Sequence, residues 1–183
     1  MSKPNTTLIY VTAFLAVFGQ ASLPGLREWF GAQVDLLPAL IVYAALHASL
    51  VNLGLLAVFG GLFFDSLSAN PLGITILPLF VTGLVLFQQR DLILRDLAFA
   101  QGLLGAAASA VVPLMTVLLL LSAGKPLLLG WGSLWQWAVM IAGGAVATPV
   151  LFAVFNGFNH AFDYKLRSES SFRPDREIRR SRI

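Results

Sequence analysis

Apolar residues come in blocks of membrane-spanning length, parted by short polar connections. The first block runs from about Leu8 to Leu23, with Gln20 its one strongly polar side chain, and Pro24-Gly25 stops it. A second block, Leu36 to Phe64, is largely apolar for 29 residues. As one helix it would measure roughly 44 Å, well beyond a ~30 Å hydrocarbon core. His47, Ser49 and Asn52 cluster inside it, so the pattern predicts two short helices turning between His47 and Asn52. Further blocks cover Pro71 to about Phe87, Leu97 to Leu121 and about Leu134 to Phe155. The expected fold class is an all-α integral membrane protein of about six transmembrane helices. Its polytopic domain covers residues 1–163, and residues 164–183 form a basic cytoplasmic tail in which acidic residues are interspersed, so a solvated or partly disordered segment is expected.

Asp65 is the only formal charge between residues 36 and 88, and its position needs a reason. Around it, Gly60 to Gly73 reads as a helix end, a tight turn and a helix start at the membrane surface. Asn70 is a good N-cap, and Pro71 then takes the first helical position, where its missing N–H costs nothing. Ser66 and Ser68 can satisfy loose backbone groups in the turn. For Asp65 itself, local capping near the following helix is weighed against contact with a partner or ligand. An interface carboxylate can stay hydrated at little cost.

Composition agrees with a bilayer as the surrounding solvent. The 183 residues are 57% hydrophobic and 11% charged, with a mean hydropathy of +0.80, against about 25% charged residues in a soluble domain. No cysteine is present, which rules out disulfides and thiolate metal sites. The first block could be mistaken for a signal peptide. Its start carries Lys3 alone and later blocks are similarly apolar, so it reads as a retained helix.

Charge then orients the chain. Seven of the twelve basic residues lie between Lys165 and Arg182. With six helices and both termini cytoplasmic, these seven join Lys3, Arg90 and Arg95 inside, leaving Arg27 and Lys125 outside. Five helices would exchange Lys3 with Arg27 and keep the tail cytoplasmic. In both arrangements Asp65, Lys125 and the Trp131/Trp135/Trp137 cluster face outward. Six helices add Trp29 from the Leu26–Phe30 connection to that aromatic belt. The Gln88–Asp96 connection, with its two Arg-Asp pairs, reads as an amphipathic segment on the inner surface.

Small residues mark close helix contacts. Gly102, Gly105, Ala106 and Ser109 recur at three to four, as do Gly143, Gly144, Ala147 and Thr148. Packing inside the protein's own bundle is the plain reading for most of them, and a partner's helix on one such face is the sharper one. Pro78, Pro113 and Pro149 fall inside spans and permit kinks.

Catalytic constellations are missing from the sequence. There is no HExxH, no Cys/His ligand set and no phosphate loop. His47 reads as a turn residue, and Asn156, Asn159 and His160 as a polar helix end. No span holds a pair of carboxylates.

The succession Phe64-Asp65-Ser66-Leu67, a short turn, Pro71-Leu72-Gly73 and another apolar span resembles the signature of the MreD family of rod shape-determining proteins. The likeness extends to a short multi-span chain, Asp35 at the start of the second span and a basic cytoplasmic end. It implies a multi-pass protein of the bacterial inner membrane and its elongation machinery; that the protein is non-catalytic and without cofactor is expected from the missing constellations. Such a protein acts with the bitopic protein MreC, and through it with actin-like MreB and the glycan polymerase with its penicillin-binding transpeptidase. It also implies a fold similar to the substrate-binding subunits of energy-coupling-factor vitamin transporters. The residues expected to bind are Asp65, Asn70, Pro71 and Gly73 of the turn, and Gly102, Gly105, Ser109, Gly143 and Gly144 of the small-residue faces. Membrane lipids are expected partners and nucleic acid is not. Two rivals remain: a small-molecule transporter subunit, for which the spans offer few polar groups to orient a solute, and a membrane enzyme, for which convergent titratable groups are missing.

Overall fold

A computed structural model describes residues 10–12, 14–15, 18, 35–68, 70–93, 97–124 and 130–170, with side chains in the last helix as far as residue 157. Among the described residues the chain is all-helical, with six helices and no sheet. Residues 10–12, 14–15 and 18 belong to α1. The others are α2 (Leu37–His47), α3 (Leu50–Leu67), α4 (Ile76–Gln88), α5 (Ala98–Ser122) and α6 (Trp131–Ser170). The chain divides into two compact units, Met1–Phe152 and Ala153–Ile183.

The long second block does break into two helices, and it breaks where its polar residues cluster. Ala48 and Ser49 separate α2 from α3. Ala48 N–H closes the last turn of α2 on Ala44 O at 2.7 Å, and Ser49 caps α3 by accepting from Asn52 N–H at 3.4 Å. His47 stacks on Tyr43 at the end of α2, as a turn residue would. The helices fold back on each other: a Cβ on Gly60 would stand 3.0 Å from Leu37. Next, α3 and α4 run antiparallel, with Gly61 facing Ile76 and Gly54 facing Phe80.

α2 is the centre of this unit. Leu37 to Leu46 are all buried, and α3, α4 and α5 pack around them. Tyr43 also meets Phe152 of α6 edge-on at 5.0 Å. A helix apolar on every side can be enclosed this way, because no face needs to reach water. Its sequence, LPALIVYAALH, offers polar groups only at Tyr43 and His47.

Length separates the helices into two classes. Leu50–Leu67, Ala98–Ser122 and Trp131–Gly157 are long and apolar enough to cross a membrane. α2 has 11 residues and α4 has 13. At 1.5 Å per residue these rise only about 16 and 20 Å, short of a ~30 Å core. Shortness was expected of α2, while α3, at 18 residues, is longer than the short helix expected; the apolar block overstated α4 because apolar turn residues count as span. The fourth block begins at Pro71, yet residues 72–75 are turn and α4 starts at Ile76. Pro78 consequently sits in the first turn of α4, where a proline displaces no hydrogen bond, so no kink arises from it. Pro113 and Pro149 do lie inside helices.

At the other end, α6 starts earlier than the pattern suggested and stays helical through Ser170, into the segment expected to be tail. Ala123-Gly124 ends α5, with Gly124 at φ +71°. The Pro24-Gly25 stop, Trp29, the Arg95-Asp96 pair, Lys125 and the arginines from Arg173 lie outside the described residues.

Candidate functional site

Asp65 lies in the last turn of α3 and is buried to 1% exposure. Its carboxylate is fully engaged with the chain ahead. Oδ2 accepts from Gly73 N–H at 2.9 Å and from Thr75 N–H at 3.1 Å, while Oδ1 accepts from the Thr75 hydroxyl. These donors are the unpaired amides that precede and open α4, so Asp65 does the work of a cap from the preceding helix. Gly73 holds φ +89°, a backbone angle open to glycine, and this turns its amide toward the carboxylate. Ser68 bridges the turn, donating to Asp65 O and accepting from Asn70 N–H, each at 3.3 Å, and Ser66 donates to Phe63 O at 2.7 Å.

Two expectations change here. Asn70 and Pro71 do not open the next helix, since α4 begins after Thr75. Asp65 is also not a hydrated interface carboxylate. Local rules of capping look only at neighbours in sequence, and the true cap donors lie eight and ten positions from Asp65. Thr75 was missed for the same reason.

Asp35 repeats the theme at the start of α2. It is 3% exposed, and its Oδ1 accepts from Leu37 N–H at 2.9 Å. Burial pushes its carboxyl up to about 6, against the opposing pull of that hydrogen bond.

The two small-residue faces meet each other. A Cβ on Gly105 would collide with the Thr148 hydroxyl and Gly144 O, and would stand 2.7 Å from Thr148 Cβ. A Cβ on Gly144 would collide with the Ser109 hydroxyl and reach 2.8 Å from Gly105 O. Gly102 faces Ala145 O at 3.1 Å. Thr148 donates to Gly144 O at 2.8 Å, which keeps its hydroxyl satisfied in the seam. The faces of Gly102, Gly105 and Ser109 and of Gly144 are therefore occupied, and a partner's helix has no room there while α5 and α6 stay paired. Gly143, beside them, is half-buried.

Beyond this seam α5 and α6 part. Trp137 Nε1 donates to Ala110 O at 3.1 Å, one turn before Pro113. From there a cleft of about 850 Å³ opens, walled by Pro113, Leu114 and Val117 on α5 and by Trp131, Trp137 and Met140 on α6. Ser133 and Gln136 contribute polar groups to it, and Ser133 accepts from Gly130 N–H at 3.4 Å. A second hollow of about 410 Å³ lies between α1 and α3, lined by Tyr10, Phe14, Phe59 and Phe63 among others.

Elsewhere Arg90 lies over the Phe87 ring at 4.3 Å and 3.9 Å from Asp91, as suits a residue at the edge of a bilayer. Among the described residues no three of His, Cys, Asp and Glu gather as a metal site would require. No family model, no curated protein and no solved structure matches this chain.

Proposed function

We propose that this chain is a non-catalytic scaffold of the bacterial cell-elongation machinery, an MreD-like protein of the inner membrane that binds an MreC-like bitopic partner. Through that partner it acts on MreB-like filaments and on the glycan polymerase and transpeptidase pair. The observation that carries the reading is the Asp65 turn. Two residues of the stretch that resembles the family, Asp65 and Gly73, help tie α3 to α4, with Asp65 accepting from Gly73 and from Thr75 beyond that stretch. A carboxylate engaged in this way shapes a surface and does not serve as an acid or base.

The test is genetic and biochemical together. In a rod-shaped bacterium depleted of its own MreD, this chain and the MreC-like protein encoded by the same genome should restore rod shape and copurify. Normal membrane levels without rescue and without recovery of the partner would overturn the assignment. So would turnover of a lipid-linked precursor by the purified protein alone, lost on a point substitution.

A further inference from the structure

We infer that the α5–α6 cleft is a binding site for the acyl chains of one phospholipid, drawn from the leaflet at the Trp131 end of the protein. The inference rests on the chain's membrane placement and not on its assignment as a scaffold.

The dimensions select the occupant. The α6 wall runs over residues 130–140, a rise of about 15 Å, which equals the depth of one leaflet in a ~30 Å core. One end opens beside Trp131 and Trp135, which are 86% and 57% exposed, the residue type that gathers at the membrane–water boundary. The other end is shut by the contact of Gly105 with Gly144 and Thr148. A transmembrane helix does not fit these limits. It would have to run the full ~30 Å of the core, and the contact of Gly105 with Gly144 and Thr148 closes the cleft halfway. Flexible acyl chains end at mid-bilayer by their own length.

The lining suits hydrocarbon and holds its shape. Leu114, Val117 and Met140 are apolar; of the polar members, Ser133 lies near the Trp131 end, where a headgroup sits, and Gln136 lies midway along the wall. Trp137 is pinned through its indole N–H to Ala110 O, so the wall does not collapse inward. Water gains nothing in so apolar a space.

The full-length protein, purified in detergent and exchanged into lipid-free detergent, should retain a phospholipid in stoichiometric amount by extraction and mass spectrometry. Val117→Phe combined with Met140→Phe fills the cleft and should lower retention at least about tenfold. Val146→Phe, on an exposed flank of α6, should leave it unchanged. Wild-type protein free of lipid, or equal retention in the filled variant, overturns the proposal. A polypeptide that copurifies in place of lipid and is lost in the filled variant overturns it too. Where the filled variant fails to fold, the wild type decides: after loading with brominated phosphatidylcholine and exchange, tryptophan quenching should persist, and full recovery of fluorescence refutes the site.

Discussion

A single carboxylate in the last turn of α3 supplies what the start of α4 lacks. Three donors converge on Asp65, two from backbone amides and one from a hydroxyl; the two from Thr75 are buried and the one from Gly73 is part-buried. Asp65→Leu strands these donors, and each hydrogen bond to a charged group contributes about 1.5–3 kcal/mol. Thermal unfolding in detergent should show a large loss for Asp65→Leu, a smaller loss for Thr75→Val and little change for exposed Pro71→Leu. Equal melting of the Asp65 and Pro71 variants would count against the carboxylate as the organiser of the turn. Asp35 gives a pH signature. Burial pushes its carboxyl up to about 6 in the folded state, above its ordinary value. The folded state thus holds the proton more tightly, so this group's stabilising share is complete below its unfolded pKa and is lost as pH rises through about 6. Asp35→Asn should flatten that stretch of the stability curve and raise stability at pH 7.5, by up to about 3 kcal/mol. An unchanged pH profile would refute it. The sequence marked Asp65 through its isolation among apolar residues. It could not mark Thr75, because nothing in a ten-residue separation betrays a contact made by folding.

At the scale of elements, α5 and α6 approach closely through small residues. In lipid there is little hydrophobic drive between helices, so contact area and small residues decide the pairing. Gly105→Ala would press a methyl group into Thr148 and Gly144, and overpacking of this kind costs about 1–3 kcal/mol. We expect lower abundance of the protein itself and a lower melting temperature. Gly132→Ala, with nothing within 4 Å of the added carbon, should be neutral. Should Gly105→Ala melt like wild type, the seam is not a tight one. The small-residue spacing made these faces legible in sequence, since glycine and serine at three to four positions have few other uses on a spanning helix. Which face they meet was not legible, because spacing describes one helix and pairing describes two. The break at Ala48-Ser49 was readable for a different reason: polar residues in the middle of an apolar run cost least where the run turns. The shortness of α4 was hidden, as apolar residues such as Leu72 and Ile74 serve the turn before it as readily as a helix.

For the whole molecule the order of antiparallel helices makes a claim about sides. The Asp65 turn joins α3 to α4, the 89–93 turn follows α4, and the Gly124 turn follows α5. Where every helix from α3 to α5 crosses the bilayer, the Asp65 and Gly124 turns are expected on one side. The 89–93 turn is then expected on the other. We propose that this second side and the C-terminal end are cytoplasmic, from the basic residues Arg90, Arg95 and the seven between Lys165 and Arg182. The chain lacks cysteine, so single cysteines introduced at Ser66, Gln89 and Ser181 report independently. In intact cells a membrane-impermeant maleimide should label Ser66→Cys, which is exposed beside the turn, and should spare the other two until the membrane is opened. A fluorescent reporter that matures only in the cytoplasm should likewise light up when fused after Ile183. Labelling of Ser181→Cys from outside would invert the whole arrangement, while labelling of Gln89→Cys together with Ser66→Cys would mean that the short α4 never reaches the far side. The second outcome is the more instructive. α4 rises only about 20 Å, so whether its end meets water depends on the turn residues before it and Arg90 after it making up the difference.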